Sequence, residues 1–559
     1  MSKLNVRHAP VQVTSPVHTE ATPSGYTYEG APGYVRDSRG ELFTLGVSLM
    51  AGEATFYESA DDRNTRFVEL VSACTCNDPV WTADFLRWLR NEANIRTAAI
   101  MGAATFVRAW GSLLCQGGGL PICRNPVNYW SADGVSCDRS DHQRPDSVLV
   151  RPRAVVASVL ARGDEPGEII SYWLATYGKA LPMPLKRGVS DALRRLGSER
   201  NYLKWDSAES GVRWADALNL CHPKPKADWQ DDLFGYAVAA PHEDTAPAEA
   251  LAMLNTRRAL MAMPVSERRA MLDHPETLAG AGMTWEALAG WLQGPMDAKA
   301  WESVIPSMGY MALIRNLRNF DAAGVSDAVA MSVAAKLADP DEVAKSRQFP
   351  YRFWSAYKAA PSDRWSHPLG MALDHSVRNI PVLPGRNAIY VDTSGSMGSR
   401  LSDKSVMSRA EAAALFAVAL GYRCGVSNVD LWGYATGVFG HSLAMGGSVL
   451  RQCERFINRI GEVGMGTNTW QVVASTYAGQ DRIFVFTDEQ CTAPPAIVRA
   501  PVPTYTFNLR WYRCAPAPSG RDNWHSLAGL TDGTFKMVPI LESRSKGRWP
   551  WEIEASEQG

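Results

Sequence analysis

The chain has 559 residues, of which 46% are apolar and 21% are charged, and its formal net charge is −1 at pH 7. This length exceeds what one hydrophobic core supports, so we expect several domains of ordinary globular composition. A net charge near zero excludes a polycation, and any contact with nucleic acid must come from a local basic patch. The sequence contains no run of about 18 apolar residues, which argues against a membrane span.

Residues 1–25 are polar and rich in Pro and Thr. They contain no apolar segment of the kind found in secretory signals, and we predict a flexible N-terminal arm. The ten cysteines follow no regular spacing. Such usage favours a reducing cytoplasmic location over a disulfide-bonded secreted scaffold.

The chain is predicted to be helical from residue 40 to about 375, within a domain that we place at residues 26–376. Apolar residues recur every three or four positions in segments such as 66–73, 84–90 and 191–196. Short helices separated by Gly, Pro and Asp predict stacked helix pairs, although no clear sequence period occurs. Residues 111–153 contain three consecutive glycines and few apolar runs, which predicts a loop-like insertion between helices.

Residues 179–226 form a basic stretch. They contain ten Lys or Arg residues and five Asp or Glu residues, a surplus of five positive charges. Tyr202, Trp205, Trp214 and His222 are interleaved with these cations. Aromatic rings beside cations are surfaces on which unpaired bases stack. The alternative is a solvated helical face whose aromatic residues belong to the core.

Strands and helices alternate after residue 385. The predicted elements are strand 388–391, helix 406–422, strand 428–434, helix 450–460, strand 482–487 and strand 503–510. This alternation predicts an α/β domain over residues 386–540, with a doubly wound parallel sheet covered on both faces. A polar tail is expected over residues 541–559.

Polar side chains follow two of these strands. Asp392-Thr-Ser-Gly-Ser396 follows the first strand, Asp488 follows strand 482–487, and Thr467 lies in a Gly-rich loop between them. Open α/β sheets place their sites at the carboxyl ends of strands, so we expect these oxygens to meet. The predicted metal ligands are Asp392, Ser394, Ser396, Thr467 and Asp488. Hard oxygen donors favour Mg²⁺, with Mn²⁺ or Ca²⁺ as alternatives.

The pentapeptide could instead be a Ser/Gly-rich turn with solvated carboxylates. Together, however, the five positions resemble the metal-ion-dependent adhesion site of von Willebrand factor A domains. The resemblance implies a metal that binds a partner's carboxylate at an open coordination position, and it does not imply catalysis.

The helical part resembles the TROVE-domain proteins, the Ro autoantigen family and its bacterial homologues. The motifs that carry the resemblance are residues 181–196, 212–225, 306–320 and 347–354. A TROVE module followed by an A domain is the architecture of that family. The resemblance implies a multidomain protein, with an all-α ring of HEAT-like repeats and an α/β doubly wound von Willebrand factor A domain.

This family binds non-coding Y RNA or related RNAs, and the 3′ ends of misfolded RNAs, as a ribonucleoprotein in RNA quality control or decay. Arg187, Lys204 and His222 match positions of RNA contact. Lys186, Lys224, Arg315 and Arg347 lie in the same motifs, and Arg315 could instead satisfy helix carbonyls or an acid. We expect no intrinsic enzyme activity, and cleavage would come from an associated exoribonuclease or another protein docked on the A domain.

Two other functions are open to this sequence. The protein could be an adaptor that binds a partner's acidic residue through the metal, with RNA incidental. It could also be a nuclease in which Asp392 and Asp488 hold a catalytic metal. A nuclease is disfavoured because no second acidic cluster and no histidine accompany the site.

Overall fold

The computed structural model describes residues 15–27, 30–48, 59–116, 151–242, 244–400, 407–491, 493, 495, 500–509, 514–528, 532–542 and 547–552. The chain divides into two compact units. Unit 1 comprises residues 1–70, 92–98 and 338–559, and unit 2 comprises residues 71–91 and 99–337. The domain boundaries predicted from the sequence follow the change in secondary structure, and they stay predictions.

Unit 2 is helical throughout its described part. Its helices are α3 (Pro79–Asn91), α5 (Pro152–Val159), α6 (Glu165–Tyr177), α7 (Met183–Leu196), α8 (Glu199–Trp205), α9 (Trp214–Cys221), α10 (Asp228–Ala239), α11 (Ala252–Met261), α12 (Val265–Arg268), α13 (Pro275–Gly280), α14 (Trp285–Leu292), α15 (Ala298–Val304) and α16 (Tyr310–Ala323). Three helices contain residues of both units, namely α2 (Ala60–Asn77), α4 (Arg96–Gln116) and α17 (Asp327–Ala338). Short 3-10 turns cover Arg269–Asp273 and Ile305–Ser307.

Helices α5, α7, α9 and α10 pack on one another in sequence, α5 with α7, α7 with α9 and α9 with α10. A close approach fixes α7, because a Cβ added at Gly188 would lie 2.6 Å from the Cβ of Val156. Leu185 and Val189 are buried beside it. The opposite face of α7, which includes Arg187, is therefore left exposed.

Unit 1 combines helices with two sheets. Its elements are β1 (Gly25–Tyr26), β2 (Pro32–Val35), α1 (Ser38–Ser48), α18 (Pro340–Ser346), α19 (Pro350–Ala359), α20 (Asp363–Ser376), β3 (Asn387–Asp392), α21 (Arg409–Cys424), β4 (Val429–Tyr434), β5 (Val438–His441), α22 (Val449–Ile457), α23 (Thr469–Thr476), β6 (Arg482–Thr487), β7 (Thr504–Asn508), β8 (Cys514–Ala515), β9 (Trp524–Ala528) and α24 (Asp532–Glu542). Its 3-10 turns are Val377–Asn379, Gly395–Gly398, Val426–Asn428 and Pro550–Glu552.

The larger sheet has the strand order β5-β4-β3-β6-β7-β9. Its strands are parallel except β5, which pairs antiparallel with β4 at one edge. Every residue of β3, the central strand, is buried. Helix α21, which packs on β3, begins with a capping box between Ser408 and Glu411. The predicted combination of helical pairs with a doubly wound α/β domain is confirmed.

The smaller sheet has the strand order β1-β2-β8. Beside it, hydrogen bonds to Ser519 correct the prediction of a flexible arm over residues 1–25. Val17 is fully buried, and the Ser519 hydroxyl donates a hydrogen bond of 2.8 Å to its carbonyl. Thr19 accepts 2.8 Å from the Ser519 backbone N–H. These hydrogen bonds tie residues 15–25 to the C-terminal part of unit 1. Residues 1–14 lie outside the described residues.

The polar tail predicted over residues 541–559 also needs correction in its described part. Trp549 is buried and packs on Phe43 at a ring distance of 5.1 Å and on Trp551 at 5.5 Å. Aromatic burial, which the prevailing polarity of this segment concealed, fixes residues 547–552. Residues 553–559 lie outside the described residues.

The predicted insertion over residues 111–153 is helical at both ends, since α4 continues to Gln116 and α5 begins at Pro152. Residues 117–150 lie outside the described residues. Within the described part of the chain, no helix combines the length and apolar character required to cross a membrane.

Candidate metal site and basic surface

The parallel pairing of β3 with β6 brings Asp392 and Asp488 to the same edge of the sheet. Both side chains are fully buried. The loop that carries Thr467 lies against the pentapeptide, because the N–H of Gly395 donates 3.0 Å to the carbonyl of Met465. The fold thus assembles the strand ends and loop that carry the predicted ligands.

Hydrogen bonds position the Asp392 carboxylate. Its Oδ1 accepts 2.9 Å from the Ser394 backbone N–H, and its Oδ2 accepts 2.6 Å from the Thr487 hydroxyl. The hydroxyls of Ser394 and Ser396 lie 3.4 Å apart, and Oδ1 of Asp488 accepts 3.4 Å from the Gln490 N–H. The two serine hydroxyls of the pentapeptide therefore lie close together, and the Asp392 carboxylate is near enough to Asp488 to be affected by its charge.

Burial and, after it, the negative charge of Asp488 raise the pKa of Asp392 to about 7, against the opposing effect of hydrogen bonds from Ser394 and Thr487. Two buried carboxylates repel each other unless a proton or a cation lies between them. A hard divalent cation would relieve this repulsion. Among the described residues, no group of three His, Cys, Asp or Glu side chains is placed to hold a metal. An ion here would therefore need the Ser and Thr hydroxyls as ligands, and its binding stays a prediction.

In unit 2, Lys186 of α7 lies near the end of α9. Burial raises the pKa of the Cys221 thiol to about 12, and the positive charge of Lys186 opposes the shift, which places that charge near the last residue of α9. His222 follows with a left-handed backbone, φ 46°, and ends the helix through its N–H to the Leu218 carbonyl. Arg187, His222 and Lys224 are exposed, and Lys186 is half-buried.

Gln230 holds the loop after α9 beside the end of α7. Its buried side chain donates 3.0 Å to the carbonyls of Arg194 and Gly197 and accepts 2.9 Å from the N–H of Lys226. These three bonds fix residues 222–227 next to the basic helix. We call Lys186, Arg187, Arg194, His222 and Lys224 the α7–α9 surface.

The aromatic residues of the basic stretch divide between core and surface. Tyr202 and Trp214 are buried, and the indole of Trp214 donates 2.8 Å to the Gly163 carbonyl. These two rings therefore belong to the hydrophobic core and do not form a stacking surface. Trp205 is half-buried between two cations, with Arg162 at 4.1 Å and Lys204 at 4.7 Å from its ring.

Lys204 lines a cleft of about 320 Å³ together with Trp205, Glu168 and Ser207. No residue of the α7–α9 surface lines this cleft. The structure thus assigns Lys204 to a second location within unit 2, although the sequence had grouped it with His222.

Several cations of the stretch serve the fold. Arg195 donates to the carbonyls of Ala157 and Leu160, and Arg213 pairs with Asp206. The local surplus of positive charge counted from the sequence therefore overstates what an RNA would meet.

The last two predicted RNA-binding residues lie elsewhere. Arg315 is exposed on α16, and it has no hydrogen-bond or ion-pair partner among the described residues, so the structural alternative gains no support. Arg347 belongs to unit 1 and has a left-handed φ of 50°. Its guanidinium donates 3.2 Å to the Glu92 carbonyl, and its own carbonyl accepts 3.4 Å from Asn94, which is a structural role.

Sequence reasoning missed Trp229. This residue is exposed in the first turn of α10, and the ammonium group of Lys226 lies 5.2 Å from its ring centroid. The run Lys224-Pro-Lys226-Ala-Asp-Trp229 places it just after two lysines. A tryptophan at the polar start of a helix was the signal that could have identified it.

The family model of the TROVE domain matches residues 265–363. The fold is similar to that of the Deinococcus radiodurans RO (RSR) protein, a crystal structure that aligns with a TM-score of 0.57 and 16% identity over 91% of this chain and 99% of that chain. No curated protein matches the sequence.

Residues 265–363 therefore match the TROVE-domain family, within a chain that combines a helical part with a C-terminal α/β domain. Its fold is of the Ro type, as the likeness to the D. radiodurans protein shows. Both findings support the RNA-binding class of protein predicted from the sequence. The assignment of the α/β domain to the von Willebrand factor A family stays a prediction.

Proposed function

We propose that this protein binds non-coding RNA through the α7–α9 surface. The observation that carries the proposal is that Gln230 fixes the His222–Ala227 loop against the end of α7. Exposed cations from two elements are thereby held in one place, with the exposed ring of Trp229 following directly in α10.

Such a surface suits RNA for two physical reasons. Lys and Arg side chains neutralise phosphates and release counterions, which provides affinity without reading a sequence. An aromatic face adds stacking for an unpaired base, worth about 1–3 kcal/mol per base. A protein of RNA quality control needs this combination, since its clients share an exposed strand and not a common sequence.

The finer function follows the family resemblance. Y-like RNA would bind as the stable partner in a ribonucleoprotein, and the 3′ ends of misfolded RNAs would be the clients. An exoribonuclease or another protein docked on the α/β domain would supply cleavage, so the chain itself needs no catalytic group. The site of this activity would be the cytoplasm.

For the α/β domain, we propose a Mg²⁺ ion held by Asp392, Ser394, Ser396, Thr467 and Asp488, with Mn²⁺ or Ca²⁺ as alternatives. The support is the pair of buried carboxylates, whose mutual repulsion helps to raise the pKa of Asp392, beside neutral hydroxyl oxygens. When bound, the ion supplies an open coordination position for a partner's carboxylate. The chain's own residues would hold the ion at the carboxyl ends of β3 and β6.

The RNA proposal is tested with the double variant Arg187→Gln, Lys224→Gln. Both side chains are exposed, so the fold should persist, and gel-shift titration with a structured non-coding RNA should show about a tenfold or larger loss of affinity, about 1.4 kcal/mol. Lys345→Gln is the matched control, because Lys345 is an exposed lysine on α18 whose partner is Glu342. Wild-type affinity in the folded double variant would instead favour the adaptor function.

A further inference from the structure

A cleft of about 710 Å³ lies among α8, α10 and α11 in unit 2. Its lining includes Tyr202, Arg213, Tyr236, His242, Arg257 and Arg258. None of its residues belongs to the α7–α9 surface or to the candidate metal site. The volume falls within the range of small-molecule sites, about 300–1,000 Å³.

Arg257 is a half-buried cation in the wall of this cleft. Its Nη1 donates 2.7 Å to the sulfur of Met283 and 3.4 Å to the carbonyl of Ala281. Within the described residues no carboxylate pairs with it, and nothing accepts a hydrogen bond from its Nε or Nη2. Burial consequently lowers its pKa. A half-buried cation without a countercharge costs free energy, and an anionic ligand would remove that cost.

Arg258, the next residue of α11, also has unused donors. Its Nη2 donates 3.0 Å to Asp244, whose side chain is 93% exposed. Its Nη1 is shielded from solvent and has no acceptor among the described residues. The two arginines thus present donors to one cleft that the surrounding described protein does not satisfy.

The charge of the described lining is also positive. Three arginines line the cleft against two aspartates, Asp206 and Asp244, which leaves a surplus of one positive charge. Arg213 is already neutralised by Asp206, and Asp244 is largely in solvent. The unmatched positive charge therefore lies at Arg257.

An aromatic wall completes the cleft. Tyr236 is half-buried, and its ring packs edge-on against Tyr202 at 6.0 Å with an interplanar angle of 83°. Tyr202 is itself held by Trp214 at 5.7 Å. The Tyr236 ring is thus supported from behind by the core and can serve as one side of a site for a flat group.

We propose that this cleft binds a nucleotide, with its phosphate on Arg257 and Arg258 and its base against Tyr236. A planar guanidinium matches phosphate oxygens with paired donors, which makes arginine better suited than lysine to this contact. The same chemistry is presented by a free mononucleotide and by the terminal nucleotide of an RNA strand. The proposal does not rest on RNA binding by the α7–α9 surface.

Isothermal titration calorimetry with AMP and with inorganic phosphate tests this assignment on the full chain. Wild-type protein should bind AMP, and Arg257→Gln should weaken that binding by about tenfold or more, about 1.4 kcal/mol. Arg258→Gln is the second variant, since its Nη1 makes no bond that the fold would lose. Lys299→Gln, an exposed cation of the same unit that pairs with Asp273, should bind AMP as the wild type does.

Thermal melts separate a binding role from a structural one. AMP should raise the Tm of the wild type and leave that of Arg257→Gln unchanged. Oligonucleotides that differ only in a 5′-phosphate identify the source: tighter binding of the phosphorylated strand, lost in Arg257→Gln, places an RNA end in the cleft. Failure of the wild type to bind AMP, phosphate or either strand differentially up to about 10 mM would overturn the proposal. The proposal would also be overturned if Arg257→Gln and Arg258→Gln both fold and bind AMP with the affinity of the wild type.

Discussion

The hydroxyl of Thr487 donates a hydrogen bond of 2.6 Å to Oδ2 of Asp392, joining the last residue of β6 to the last residue of β3. This bond favours the ionised form of a carboxylate that burial and a neighbouring Asp488 would otherwise keep protonated. A polar residue at the end of the neighbouring strand thus prepares the carboxylate for a cation. It is a positioning residue that the sequence motif does not include.

Replacing Asp392 with Ala should abolish the binding of Mg²⁺, because it removes one of the two buried carboxylates of the candidate site. RNA affinity, which we assign to unit 2, should change little. Calorimetric titration with Mg²⁺ measures the first effect, and a gel shift measures the second. Asp430→Ala, which removes a more exposed carboxylate of β4, is the matched control. Unchanged ion binding in Asp392→Ala would refute the assignment.

The stability of the metal-free protein should fall as pH rises through about 7. The pKa of Asp392 is raised from 3.8 to about 7 in the folded state, so the folded state holds a proton that the unfolded chain has released. The resulting stability is complete below the unfolded pKa and is lost as pH rises through the folded pKa.

Melting temperatures of EDTA-treated protein between pH 5 and 8 check this dependence. Mg²⁺ should restore the loss at pH 8, because a cation replaces the proton between the carboxylates. Asp392→Asn, which cannot ionise, should lack this component of the pH dependence. A metal-free wild type whose Tm follows the same curve as that of Asp392→Asn would contradict the buried-pair account.

How far the sequence determined this structure differs among the strands of the larger sheet. The sequence predicts strand 482–487 with the bounds that the structure shows, because a continuous apolar run between Arg482 and Asp488 is typical of a buried strand. The edge strand β5 and the last strand β9 were missed, since four or five residues without strict alternation do not stand out from loops.

The site residues show the same division. Asp392 and Asp488 could be placed together from sequence because the carboxyl ends of parallel strands meet. The sequence could not predict that Tyr202 is buried and Trp229 exposed, since both are aromatic residues near lysines. Only the packing of α8, α9 and α10 determines which ring is buried. Arg257 was not singled out either, because an arginine without an acid partner is recognisable only once its neighbours are known.

RNA affinity should depend steeply on salt if phosphate contacts carry it. For a single strand, log K should fall against log salt with a slope of about −0.7 per neutralised phosphate. Lys224→Gln should reduce the steepness by about one such contact. Fluorescence anisotropy with a labelled single strand at several salt concentrations measures both slopes. Affinity independent of salt would exclude the basic surface as the source of binding.

Trp229→Ala should weaken RNA binding by about 1–3 kcal/mol, the value of one stacked base. The side chain is exposed, so its removal should cost the fold little. Trp229→Phe is the matched control, because it retains an aromatic face at the same position and should retain most of the affinity. Equal affinity in the Ala and Phe variants would show that no base stacks there.

His525 should contribute a decrease in the unfolding free energy of the α/β domain on acidification, opposite in sign to the contribution of Asp392. This histidine of β9 is 1% exposed and stacks on Tyr505 at 5.1 Å, and burial lowers its pKa from 6.5 to about 3. Between these values the unfolded state binds a proton that the folded state excludes. The stability is therefore complete above pH 6.5 and is lost as pH falls, at about 1.4 kcal/mol per pH unit.

Urea unfolding at pH 7 and pH 5 measures this loss, for which we expect about 2 kcal/mol from this one residue. His525→Leu and His525→Gln cannot take up the proton, so both should lose less stability over the same interval, whatever their stability at pH 7. The leucine variant keeps the site apolar and the glutamine variant keeps it polar, which separates the effect of titration from that of packing. Equal losses of unfolding free energy in the wild type and in both variants would show that the buried imidazole does not set the acid limit of this domain.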